Sequence, residues 1–439
     1  MSTSTADVVE AARGRWRAYT EEERRVASFV AGFAALLAVL VALGQLRVAF
    51  VVSTAALAGM YVLLAFGLNV QWGYAGLVNF SVVAFWGIGA YSAALLTGAG
   101  SPHGLELHPL VGVAVAVVLS VVLALAIGLP TLRLRADYLA IATLGFAEIV
   151  RLLVLNEGWL TAGGLGVGGI PVLLQPPALE PVATLLGVQP RTIGNLFVIS
   201  VVALGVFLFL RRIQRSPWGR VLRTIRADED LAQALGKDTY RFKMVAFVIG
   251  SVIMALAGVY YAHMVRFVTP SDLLPIETFY VWIAVILGGT GSNRGAILGG
   301  LTIVVIQQGT RIYNDQIDAI LFFASVDASA LRLFLVGLLV IVVVRLRPEG
   351  ILPPQREHVW PRALAAHENA TSVGDDRPSV GDDRASSGDD RASNGDDRAS
   401  VGDDRASSGD EETSNEDDGD EGFQAGTGDR EPGRGGDRR

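Results

Sequence analysis

Long apolar runs with few or no charges alternate with short polar connections through the first 350 positions. Val26–Leu46 and Val48–Val70 open the series. It continues at Val82–Thr97, Leu110–Leu129, Tyr138–Leu155, Ile193–Leu210, Val245–His263, Phe279–Leu287, Ala296–Gln307 and Leu331–Val344. A helix that crosses a hydrocarbon core about 30 Å thick needs about twenty such residues, and a soluble domain has no use for so many of them. The pattern therefore predicts an all-α, polytopic transmembrane helical bundle. It has eight to ten spans, because the short pair around residue 291 counts either as two crossings or as one re-entrant element. One stretch breaks the pattern. Arg211–Ala246 is polar and basic, and runs far beyond the few residues that ordinarily join two helices.

Charge orients the pattern. Residues 1–25 are polar, with Arg13, Arg15, Arg17, Arg24 and Arg25 just ahead of the first run. That run is full length and leads into a second one, which predicts an uncleaved first span with its basic flank in the cytoplasm. Alternating the spans from there puts Arg133 and Arg135, the Arg211–Lys243 loop, and Arg345 and Arg347 all on the cytoplasmic side, with both termini inside. The loop from Asn156 to Arg191 is then external. It holds the uncharged, flexible TAGGLGVGGIP and then PALEPVATLLGVQP, which predicts a short surface helix. A plain connector and a docking site for an external partner are both open there.

Composition changes at residue 357. The 439-residue chain has a net charge of −7, but residues 361–439 alone carry −12 and the rest carries +5. GDDRASx heptads run in series from Gly374. None of their seven positions is regularly a large apolar residue, so they lack the seam of a coiled coil. High charge and low hydrophobicity predict a disordered acidic tail over 357–439, beyond a membrane domain at 26–350. The absence of cysteine excludes disulfides and thiolate metal sites. Two lysines against 34 arginines, with abundant Asp, would suit a salt-rich, halophilic cytoplasm, though a GC-rich genome gives the same bias.

Three features carry candidate chemistry. Glycine-rich patches interrupt the spans at Gly73–Tyr91 and Leu287–Gly300, predicting broken or re-entrant helices near 71–81 and 287–296. Such breaks line a path or a site, since free backbone is costly against lipid; tight helix packing is the plainer reading. The candidate path residues are Gly73, Gly76, Asn79, Gly288, Gly289 and Gly291. The second patch lacks the Gly-Lys-Ser/Thr ending of a phosphate loop and follows no strand, so it is no ATP site. Glu148 and Arg151, at i and i+3 in a span, either face an aqueous path or neutralise each other. Within the polar stretch, Asp228, Glu229 and Asp230 precede a short helix with Leu231, Ala234 and Leu235 on one face, Ala232 between them, and Gly236 as its stop. Its apolar face is small and its start acidic, which fits a protein groove better than a lipid surface.

Gly73-Tyr74-Ala75-Gly76 with Phe85, Gly87, Ile88, Gly89, Ala90 and Tyr91, then LRADYLAIATLGFAEIVRLL (134–153), IRADEDLAQALG and GGTGSNRGA occur in this order. Together they resemble the permease subunit of branched-chain amino acid ABC importers, over about residues 55–350. The resemblance implies a transport subunit with no enzymatic site or cofactor of its own. Its partners would be a second, homologous permease, two cytoplasmic ABC ATPases, an external solute-binding protein and the surrounding lipid, with no nucleic acid. It also implies that Asp228–Gly236 is the coupling helix inserted into the ATPase. The Gly-His pair that often follows the first glycine patch in such permeases is replaced here by Ser81-Val82. A substrate contact is therefore not carried over, and urea, amide or sugar permeases of similar design are alternatives. An ion-coupled secondary transporter is the alternative of another class, and would call for more ionisable groups at membrane depth than Glu148 and Arg151.

Overall fold

The computed structural model describes residues 47–312 apart from Pro176, together with Phe334, Gly337, Leu338, Ile341, Val342, Arg345, Leu346 and residues 349–352. The predicted span at Val26–Leu46 and the acidic tail lie outside these residues, and Leu331–Val344 is described only at scattered positions.

Each of the other eight apolar runs is a helix. Leaving aside single turns such as Gly158–Thr161, the described helices in chain order are α1 Val48–Leu68, α2 Val82–Thr97, α3 Pro109–Thr131 and α4 Ala136–Asn156, then the short α5 Glu180–Leu186 and α6 Pro190–Arg215. The polar stretch follows as α7 Pro217–Ala227 and α8 Glu229–Ala234. Then come α9 Thr239–Val265, α10 Pro275–Gly288 and α11 Asn293–Ile312. By length and composition, five of the described helices can cross a membrane: α1 with its extension to Tyr74, α3, α4, α6 and α9. The short α2 and α10 are apolar as well.

Packing inverts the order of a soluble protein. On α3 the buried positions Gly112, Ala116, Ser120, Ala124 and Gly128 form one stripe of small residues at every fourth position, with Thr131 buried at its end. Leu110, Val118, Val122 and Leu129 point outward. When the surroundings are as apolar as leucine, helices gain by close approach rather than by hiding large side chains. The same logic sets the centre of the bundle. Nearly every side of α2 is buried, and it crosses α9 so closely that a Cβ on Gly258 would lie 1.9 Å from the Trp86 carbonyl oxygen.

The connections fall at two ends. At one end lie the α7–α8 stretch, the turn between α10 and α11, and residues 349–352, whose Ile351 and Leu352 amides donate to the Leu287 and Gly288 carbonyls at 3.0 Å. The Tyr240 hydroxyl donates to the Leu129 carbonyl at this end, at 2.9 Å, tying in the end of α3. At the other end two short strands, β1 Val167–Gly168 and β2 Phe267–Val268, pair antiparallel, with Val167 opposite Val268. The Ala99 and Gly100 amides join them by donating to the Gly169 and Gly168 carbonyls. Loops expected on opposite faces of a membrane thus sit at opposite ends. The run TAGGLGVGGIP, expected to be flexible, is instead fixed by these pairs and by Arg266 Nε, which donates to the Ile170 carbonyl at 2.9 Å. Its glycines allow the approach, since a Cβ on Gly166 would lie 2.6 Å from the Val268 oxygen. The short surface helix expected at PALEPVATLLGVQP is α5.

Candidate functional site

The first glycine patch breaks the helix as its composition predicts. After Leu68 the α-helical ladder widens into a π segment, Asn69–Tyr74, and the chain then runs without regular structure to Ser81 before α2 begins. Broken backbone inside a bundle needs substitute partners. Here side chains supply them. Thr143 Oγ1 accepts from the Phe80 amide at 2.9 Å, Asn79 Oδ1 from the Ser81 amide at 2.8 Å, and the Asn79 carbonyl from Trp282 Nε1 at 3.0 Å. The Trp282 ring stacks on Phe80 at 4.7 Å and leans on Trp72 at 4.4 Å, which closes the break with aromatic surface.

The second patch is a tight turn between α10 and α11. Gly289 and Gly291 take φ of +110° and +87°, a region that side chains disfavour. The turn lies directly against the first break, so that a Cβ on Gly73 would fall 2.7 Å from the Gly291 nitrogen. Asn69 joins the two: its Oδ1 accepts from the Gly291 amide at 2.7 Å, and its Nδ2 donates to Asn293 Oδ1 at 3.2 Å. The Tyr74 hydroxyl donates to the same Asn293 oxygen. Deeper in, Gln71 donates to the Phe247 carbonyl at 2.8 Å and to Ser251 Oγ at 3.2 Å, while its Oε1 accepts from Asn79 Nδ2 at 2.6 Å. Asn69, Gln71 and Asn79 are completely buried. A buried polar network with its groups paired holds one arrangement of its backbone and makes departures from it costly.

The structure therefore brings Gly73, Gly76, Asn79, Gly288, Gly289 and Gly291 into one place. Glu148 and Arg151 are placed on α4 and bond to each other: Arg151 Nε donates to Glu148 Oε2 at 2.9 Å. Asn69, Gln71, Tyr74, Asn293 and Gln214, whose Nε2 donates to the Gly291 carbonyl at 2.8 Å, are the members that pattern reading missed. The available signal was an amide side chain inside an apolar run beside a glycine patch, as in the segment GLNVQWGY.

The polar stretch docks on this place. Ser216 caps α7 by accepting from the Gly219 amide, Pro217 takes its first turn, and Leu222 and Ile225 turn inward. Asp228 then caps α8, its carboxylate accepting from the Leu231 amide at 2.9 Å, with Glu229 and Asp230 in the first turn where the helix dipole favours acids. Gly236 ends α8 in the left-handed region at φ +76°, its amide donating to the Gln233 carbonyl. Ala232 is buried, Leu231 and Leu235 are 51% and 66% exposed, and Ala234 is exposed beside them. Glu229 forms an ion pair with Lys243, and Gln233 Nε2 donates to Thr239 Oγ1 at 3.0 Å, so α8 is clipped to the start of α9.

The family model for the branched-chain amino acid transport system permease component matches residues 50–344. The LivM high-affinity branched-chain amino acid transport system permease proteins of Escherichia coli K12 and Salmonella typhimurium are 33% and 32% identical to the chain, each over 70% of both sequences. The LivH permease protein of Escherichia coli K12 is 25% identical, over 67% of this chain and 92% of its own length. No solved structure matches. The matched region holds both glycine breaks, the buried amide network and the α7–α8 stretch, and the chain belongs to the family of branched-chain amino acid transport system permease components.

Proposed function

We propose that the chain is the membrane-spanning permease subunit of an ATP-driven importer that carries branched-chain amino acids into the cell. The observation that carries this reading is α8. It is a short capped helix with an exposed face of Leu231, Ala234 and Leu235, standing on a stretch that is hydrogen-bonded to both glycine breaks. An isolated permease gains nothing from exposing leucine there, whereas a groove on a partner would bury it. The partners are two cytoplasmic ATPases, an external solute-binding protein and a second homologous permease; likeness to both LivM and LivH proteins supports a heterodimer of permeases. The end of the bundle that bears α7 and α8 faces the cytoplasm, because it carries Arg133, Arg135 and the arginines of Arg211–Lys243. Residues 26–350 form the permease domain and 357–439 a cytoplasmic tail.

Closure of the ATPases would displace Asp228–Gly236 and, through the loop, the paired breaks that include Gly73, Gly76, Asn79, Gly288, Gly289 and Gly291. The amide network favours one arrangement of those breaks, and the ATPase step supplies the free energy to leave it. Reconstitution with the ATPases and the binding protein tests this, with labelled leucine as the solute. Uptake should require ATP, and Gly236→Trp should leave hydrolysis running while uptake stops. Unchanged uptake in that variant, or uptake without ATPases, overturns the reading, and the second result would select an ion-coupled carrier. Competition by urea or amides rather than by isoleucine and valine would reassign the solute.

A further inference from the structure

We infer that Arg226 is the strut through which movement of the Asp228–Gly236 helix reaches both helix breaks, a positioning role that rests on the importer reading above. Arg226 is the last residue but one of α7, and only Ala227 separates it from Asp228, the cap of α8, so a shift of α8 reaches it through a very short link. Its guanidinium spans the two glycine patches. Nη1 donates to the Gly73 carbonyl in the first break, and Nη2 donates to Thr290 Oγ1 at 3.2 Å in the second. These are two points of one planar, rigid group, and neither partner lies in the same element as the other.

Each contact has a reason to be firm. Gly73 lies in the last turn of the helix that begins at Val48, where carbonyls lack partners within the helix and the dipole leaves negative charge. A cation is the favoured partner at that position. The arginine stem lies over the turn itself, since a Cβ on Gly76 would stand 3.5 Å from Arg226 Cγ and 3.7 Å from its Cα. Near the end of α6, where the polar stretch begins, Gln214 grips the second break. Gln214 Nε2 donates to the Gly291 carbonyl at 2.8 Å, and Asn69 holds the Gly291 amide from the opposite side. The breaks are thus bound to each other through Asn69, Tyr74 and Asn293, and bound to the stretch at Gln214 and at Arg226. A displacement of Arg226 acts on a single connected unit.

A bland alternative exists, in which Arg226 only caps a helix end and stabilises the fold. The two roles differ in what their loss does to coupling. In the complete complex, with labelled leucine as the probe, Arg226→Ala is expected to lower leucine taken up per ATP hydrolysed by about tenfold or more, while the hydrolysis rate changes by no more than about twofold. Arg226→Lys keeps the charge but offers no fork, and falls between the two. Thr290→Val removes one contact from the other side, lowers the same ratio, and adds nothing to Arg226→Ala, since both variants break one connection. An unchanged ratio in Thr290→Val, or uptake and hydrolysis falling together with melting temperature in Arg226→Ala, overturns the strut. Should Arg226→Ala fail to assemble, the Lys and Val variants decide.

A second arm does not depend on the importer reading. The chain has no cysteine, so spin labels at Asp230→Cys and Arg294→Cys on the permease alone report the distance from α8 to the second break. That distribution should be narrow, and should broaden in Arg226→Lys and Thr290→Val; unchanged width in both also overturns the strut. Uptake that ignores ATP in the unaltered complex defeats the importer reading and leaves this arm standing.

Discussion

Asn79 Nδ2 donates to Gln71 Oε1 at 2.6 Å, so the two flanks of the first helix break are joined side chain to side chain across eight positions. The same Asn79 turns its oxygen to the Ser81 amide and hydroxyl, at 2.8 and 2.6 Å. One buried side-chain amide thus serves three groups: the Gln71 oxygen, the Ser81 amide and the Ser81 hydroxyl. Asn79→Ala strips partners from Gln71 and Ser81 at once. Each buried group left without a partner costs about 1–3 kcal/mol, so a loss of several kcal/mol is expected. Thermal unfolding of the purified permease in detergent, followed by tryptophan fluorescence, measures it. A melting temperature equal to that of the parent protein would mean the break is held by something else.

The face of α8 allows fold and docking to be separated. Leu231 and Leu235 are more than half exposed, so Leu231→Asp with Leu235→Asp should move stability by no more than about 0.5 kcal/mol each. Desolvating a carboxylate in a partner's groove is far more costly. The double variant is expected to fold, insert and melt like the parent, yet fail to co-purify with the ATPases. Retention of the ATPases would show that α8 is not the docking element.

The apolar runs made the helices legible, because lipid leaves the backbone only one open structure, and eight of the ten runs fall on described helices. The breaks were legible from the glycines at 73, 76, 288, 289 and 291. The short helix was legible from its Asp228 cap and Gly236 stop. Of the side chains that fill the breaks, only Asn79 was. Asn69 and Asn293 meet across 224 positions of sequence, and nothing local in either segment names the other. Arg226 counted in the sequence as one more basic residue of a basic loop. Only the fold places its two donors against Gly73 and Thr290.

Helix crossings distinguish glycines that serve packing from those that do not. A Cβ on Gly258 would meet the Trp86 carbonyl oxygen at 1.9 Å, and backbone cannot step aside as a side chain end can. Gly258→Val should force α2 and α9 apart and cost about 3 kcal/mol or more, with loss of folded protein after detergent extraction. Among the described residues, a Cβ on Gly205 of α6 would meet nothing within 4 Å. Gly205→Ala should be neutral or stabilising by up to about 1 kcal/mol, as a helix gains from losing a glycine. Equal yields of the two variants would refute the close crossing.

Glu148 and Arg151 pose the question of path against packing, and their geometry gives it a decisive form. The two side chains are 38% and 20% exposed, and their bonds run to each other along one face of α4. If the pair serves packing, each partner alone is a liability: Glu148→Gln leaves an uncompensated arginine, and Arg151→Gln an uncompensated carboxylate. Removing both then recovers part of the loss, with a coupling of about 0.5–3 kcal/mol in a double-mutant cycle of melting stabilities. ATP-driven leucine uptake in the double variant should track the amount of folded protein. A path role predicts the opposite combination, in which Glu148→Gln/Arg151→Gln folds well and transports poorly. The self-contained bidentate contact on α4 favours the first outcome, and uptake per folded molecule is the measurement that decides.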